Sequence, residues 1–118
     1  MANVVKEKSF AFAVRVVKLY KHLCADKKEY VIAKQLLRCG TAIGALVREA
    51  EQAESKPDFI NKMAIALKEA NETEYWLELL NETNYLEPAA FSSIRQDAIE
   101  LLKLLTSIIK STKQGMTK

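Results

Sequence analysis

A single histidine, His22, two cysteines, Cys24 and Cys39, and a row of glutamates from Glu69 to Glu82 carry the functional groups from which catalysis or metal binding is usually built. Their spacing does not suit either. His22 and Cys24 lie two positions apart, which on a helix turns them about 200° from each other, so they cannot share a zinc ion. Di-iron bundles use Glu-x-x-His pairs, and here Leu19 stands three positions before His22. No serine or acid stands out near His22 to build a nucleophile–base–orienter set. Glu69, Glu72, Glu74, Glu78 and Glu82 could hold cations, but such a row serves more often as a solvated face or pairs with lysines of a neighbouring helix. Tyr75 and Trp76 could stack on bases; among Leu77, Leu79 and Leu80 their expected place is a core or an interface. The chain therefore reads as non-enzymatic, with no catalytic residue, metal or cofactor expected.

Charge is the more informative chemistry. The net +3 divides unevenly. Residues 1–48 hold ten Lys or Arg against three acids, a net +7, and residues 49–118 hold eight against twelve, a net −4. Two readings follow. In one, two solvated faces of opposite sign attract each other. In the other, a basic surface on the N-terminal half meets an anionic partner, nucleic acid first among candidates. Arg15, Lys18, Lys21, Lys34, Arg38 and Arg48 would supply the phosphate contacts, if the fold brings them to one surface.

The elements that must position these residues are helices. Three glycines and two prolines in 118 residues leave little material for turns, and period-two alternation is nowhere sustained. The first helix is expected from Val4 or Lys6 to Cys24, with two apolar stripes. One runs through Phe10, Val14 or Ala13, Val17, Tyr20 and Cys24, the other through Phe12, Val16, Leu19 and Leu23. After a polar link at Ala25–Glu29, the second helix spans about Tyr30 to Glu54. Its seam, Ile32, Leu36, Cys39, Ile43, Leu46, Ala50 and Ala53, keeps the 4, 3 spacing of a coiled coil. Gly40 and Gly44 each cost a helix about 1 kcal/mol relative to Ala, so a neighbouring helix is expected close by, within the chain in preference to a second copy.

Ser55–Asp58 reads as a capping box with Pro57 in the first turn. The third helix repeats the heptad at Phe59, Met63, Ala66, Ala70, Thr73, Leu77 and Leu80. Asn84 suits a left-handed C-cap and Pro88 a helix start. The fourth helix is expected from Pro88 to Ser111, followed by a polar, frayed tail over about 112–118. Short links between such helices make an all-α, antiparallel up-down-up-down four-helix bundle, one domain over 1–118. No apolar run reaches the roughly 18–20 residues of a membrane span; a cytoplasmic protein with reduced cysteines and no membrane partner is expected. Apolar residues on both sides of helices one and four exceed what one small core hides, which points to a homo-oligomer.

The stretch Leu37–Leu80, with a run of Gln35, Leu36 and Arg38 at its start, Ile43 within Gly40–Ala45, then Glu49, Ser55, Asp58 and Phe59, carries a further signal. With Ile65–Glu69 and Glu74–Leu77 it resembles the four-helix-bundle family of proteins encoded within bacterial 23S rRNA intervening sequences. One departure is Leu46–Val47–Arg48–Glu49–Ala50, where many members have Asn-Ile-Ala-Glu-Gly, so a polar contact made by that Asn is not carried at Leu46. The resemblance implies a cytoplasmic, non-enzymatic protein. The related accessory protein of diversity-generating retroelements assembles as a pentameric barrel and binds nucleic acid and a reverse transcriptase. By that resemblance a homopentamer binding RNA, or less readily DNA, is expected. The alternative is an oligomeric scaffold that docks a protein partner without nucleic acid.

Overall fold

The structure, a computed structural model, describes residues 3–116. Four helices account for almost all of them: α1 Val4–Ala25, α2 Val31–Glu51, α3 Lys56–Glu82 and α4 Pro88–Met116. Each start has a local cause. The Asn3 side chain accepts from the Lys6 amide at α1. At α3, Ser55 Oγ accepts from the Asp58 amide at 3.2 Å, as the capping box requires. The return bond goes one residue further back than expected, from the Glu54 amide to Asp58 Oδ2. At α2 the N-cap Tyr30 offers no side-chain bond, and the Glu29 carboxylate does the work instead, accepting from the amides of Ile32 (3.1 Å) and Ala33 (2.9 Å). Asn84 adopts the left-handed conformation anticipated for it, with φ 67°.

Sequential helices pack side by side, α1 on α2, α2 on α3 and α3 on α4, and α1 closes the ring against α4 through the sparsest of the four seams. The result is an antiparallel up-down-up-down bundle, 52 Å long and 24 × 21 Å across. The heptads supply the core: Leu36, Cys39 and Ile43 from α2, Met63, Ala66, Ala70, Leu77 and Leu80 from α3, Ile94, Leu101 and Leu105 from α4. Of the two stripes on α1, only the second is core. Phe12, Val16 and Leu23 are buried, whereas Phe10 and Val14 of the first stripe are 57 % and 38 % exposed.

The mid-helix glycines of α2 are explained within the chain. A Cβ on Gly40 would lie 2.8 Å from both γ-methyls of Val16, and one on Gly44 would lie 3.4 Å from the Ser9 carbonyl oxygen. The small residues let α1 and α2 approach closely, as expected.

Two boundaries are corrected. α2 stops at Glu51 and not at about Glu54, so Ala53 of the expected seam lies beyond the helix; the Gln52 and Ala53 amides turn back to the Glu49 and Ala50 carbonyls and close the last turn. α4 does not end at Ser111 but continues to Met116. Thr112 caps back onto the Ile108 carbonyl at 2.7 Å, and Lys113 and Met116 sit beside Pro57, Ile60 and Ala64 of α3. Packing against the first turns of α3 outweighs the helix penalty of Gly115; residues 117 and 118 of the expected tail lie outside the described residues.

Candidate nucleic-acid interface

The six basic residues singled out in the sequence do not form one surface. They fall in three places, fixed by helical period.

Arg15 and Lys18 lie on the α1 side of the α1–α4 groove. With Leu19, His22, Leu86, Ala90 and Ile94 they line a hollow of about 280 Å³. Arg15 is already engaged: its guanidinium meets Asp97 Oδ2 at 2.6 Å and Ser93 Oγ at 3.1 Å. His22, also exposed, holds Asp26 Oδ2 at 2.7 Å. That acid, four residues on, is the partner that sequence reading did not pick out near the histidine.

Arg38 sits on the opposite side of the bundle, at the α2–α3 seam. It bridges Glu69 and Glu72 of α3, and the Glu72 oxygen that it meets also accepts from Trp76 Nε1 at 2.9 Å. Partial desolvation works to lower the guanidinium pKa, but the Glu72 and Glu69 carboxylates more than reverse this, so it is raised. The glutamate row is thus partly a pairing face. Glu69 and Glu72 serve Arg38, and Glu74 and Glu78 serve Arg95 of α4. The partners are arginines where lysines were expected. Trp76 packs half-buried against the core, but Tyr75, expected in a core or an interface, is not in the core and is 56 % exposed.

Lys21, Lys34 and Arg48 share the third place, the outer face of α1 and α2. Spacings of 4, 3 and 4 put Phe10, Val14, Val17 and Lys21 on one stripe of α1. Spacings of 3, 4, 4 and 3 put Lys34, Leu37, Thr41, Ala45 and Arg48 on the adjoining stripe of α2. The stripes meet where the Arg48 guanidinium lies over the Phe10 ring, 5.4 Å from its centroid. This face has apolar residues in its middle and cations towards both ends. None of its three cations has an ion pair among the described residues, and neither do Lys18, Lys27 or Lys28. Of the ten basic residues that made the N-terminal half +7, four (Lys6, Lys8, Arg15 and Arg38) are paired to acids of α2, α3 or α4. The first reading of the charge asymmetry, attraction between faces of opposite sign, is seen at these four residues.

The two cysteines are free thiols, Cys39 buried and Cys24 half-buried. Burial pushes the Cys39 thiol up, against a smaller opposing effect of its hydrogen bond with Thr73. A thiol whose folded pKa is raised stabilises the fold below its unfolded pKa and loses that contribution as pH rises through the folded value. Stability is therefore expected to decline above about pH 8.5, and Cys39→Ala to flatten that part of the profile, as read by urea unfolding across a pH series. Alkylation of the native protein at mild alkaline pH should modify Cys24 well before Cys39, as followed by mass spectrometry.

No helix among the described residues is long and apolar enough to cross a membrane. Among those residues, no group of three or more His, Cys, Asp or Glu side chains is placed to hold a metal ion.

With this geometry in view, residues 1–107 match the model of the 23S rRNA-intervening sequence protein family. A crystal structure of a protein of unknown function from the S23 ribosomal protein family of Bacteroides thetaiotaomicron VPI-5482 is 63 % identical to the chain. The match covers 92 % of this chain and 96 % of that one, with a TM-score of 0.91. No curated protein matches.

Proposed function

Since the chain belongs to the 23S rRNA-intervening sequence protein family, we propose that it is a non-enzymatic, cytoplasmic bundle that self-associates and binds RNA through the outer face of α1 and α2. The observation that carries this reading is the contrast among its basic residues. Arg15 and Arg38 are neutralised by acids of the same chain, while Lys21, Lys34 and Arg48 stand unpaired on one face. Phosphates would displace counterions there at no cost in broken ion pairs.

Filter binding to structured RNA over a salt series tests it. Wild-type affinity should fall steeply with salt, and reversing all three charges (Lys21→Glu, Lys34→Glu, Arg48→Glu) should reduce the log–log slope by about 2 to 3. Salt-independent binding, or a slope unchanged by the triple variant, would overturn the assignment of this face.

Self-association is supported by the apolar middle of the same face, where Phe10 and Val14 are exposed beside half-buried Val17 and Leu37. The resemblance to the retroelement accessory protein sets the expected number of copies at five. Light scattering should return a multiple of the 13.3 kDa chain mass, and Val14→Asp should lower it. A wild-type monomer at micromolar concentration refutes the oligomer. That same apolar strip also favours the second reading, a scaffold for another protein, which a partner retained after nuclease treatment would support.

A further inference from the structure

The connection between α1 and α2 holds unpaired cations close in sequence to an exposed aromatic residue. Lys27 and Lys28 lie in it, Lys21 stands in the last turns of α1, and Lys34 in the first turn of α2. Tyr30, between them, is 56 % exposed, and Val31 after it is 76 % exposed.

The acids of this segment are all in use. Asp26 is held by His22 at 2.7 Å, and both oxygens of Glu29 are spent on the α2 amides of Ile32 and Ala33. The lysines are thus left without an internal partner among the described residues. The loop is also built to one shape. Lys28 takes the left-handed conformation, φ 56°, and the Glu29 amide donates to the Leu23 carbonyl at 3.0 Å. At the same end of the bundle Glu82 closes α3 and Glu87 lies in the α3–α4 connection, both exposed. Their charge would keep a polyanion on the α1–α2 side of that end.

Cations on a fixed backbone around an open ring are what single-strand binders use. Phosphates sit on the lysines, and an unpaired base stacks on the aromatic face. A duplex keeps its bases stacked on one another and offers the ring nothing to stack on. We infer that the α1–α2 tip, through Tyr30 with Lys27 and Lys28, is a docking point for single-stranded RNA. This inference rests on the RNA-binding reading above and narrows its ligand to unpaired segments.

The test is fluorescence anisotropy with a labelled uridine oligomer, compared with the same label in a fully paired RNA duplex. Tyr30→Ala should weaken binding of the single strand at least about fivefold, leave duplex binding unchanged, and be rescued by Tyr30→Phe. Lys27→Glu with Lys28→Glu should lower the single-strand salt slope by about 1.4. Circular dichroism should show both variants as helical as the wild type, since none of these side chains is buried. Wild-type single-strand affinity in Tyr30→Ala, or a preference for the duplex, overturns the tip as a single-strand site while leaving RNA binding in place. Failure of the wild type to bind either RNA overturns both.

Discussion

Phe12→Ala is expected to cost about 3–5 kcal/mol of folding stability, a large share of what a domain of this size has to lose. The ring is only 1 % exposed and belongs to the stripe of α1 that faces the core. Removing it takes the apolar contacts away and leaves a cavity that three packed helices cannot readily close. Phe10→Ala, two residues earlier, should be within about 0.5 kcal/mol of the wild type by the same measure, because that ring is 57 % exposed and lies under the Arg48 guanidinium. Urea unfolding followed by circular dichroism checks the pair. The exposed phenylalanine should instead alter the assembly mass. Equal losses in the two variants would mean that α1 packs in a different rotation from the one described.

The second large effect lies at the closest helix approach. Gly40→Ala adds a methyl group that meets both γ-methyls of Val16 at 2.8 Å. Val16 is fully buried and β-branched, so its χ1 has little freedom to move aside. The overpacking, about 1–3 kcal/mol, should exceed the helix-propensity gain of about 1 kcal/mol, and the variant should be less stable than the wild type. Adding Val16→Ala should recover part of the loss, giving a favourable coupling in a double-mutant cycle. Gly44→Ala is the control. Its new methyl would sit 3.4 Å from the Ser9 carbonyl, an ordinary contact, so propensity should dominate and the variant should gain stability. Thermal melts of the wild type, the two glycine variants, Val16→Ala and the double variant, five proteins in all, separate these outcomes.

The bundle was legible in the sequence because the seams of α2, α3 and α4 are periodic over many turns, and periodicity survives any detail of packing. The turn at Ser55–Pro57 was legible for a different reason: capping chemistry is local. The rotation of α1 was not. Two apolar stripes run side by side on it, and only the approach of Val16 to Gly40 decides that Phe12 points inward and Phe10 outward. The end of α4 was missed because polar residues and Gly115 mask a continuation that contacts with α3 support.

Among the candidate site residues, type and number were readable but partners were not. Whether an arginine is free depends on acids far away in sequence, such as Asp97 for Arg15 and Glu72 for Arg38. The lysines of the α1–α2 link were passed over because a short polar connection looks the same whether its acids are free or, like Glu29, committed to capping a helix.

The bond from Trp76 to Glu72 gives the molecule an optical reporter of its own. Trp76 is the sole indole in the chain, and its Nε1–H donates to the same carboxylate oxygen that receives Arg38 from the neighbouring helix. Any event that draws Arg38 away changes the charge beside the indole and shifts its emission. The Tyr75 ring, 4.9 Å off in an edge-on arrangement, can pass excitation to the same fluorophore. Separation of α2 from α3 can therefore be watched in the unlabelled protein, by one colour of light, independently of whatever occupies the face of α1.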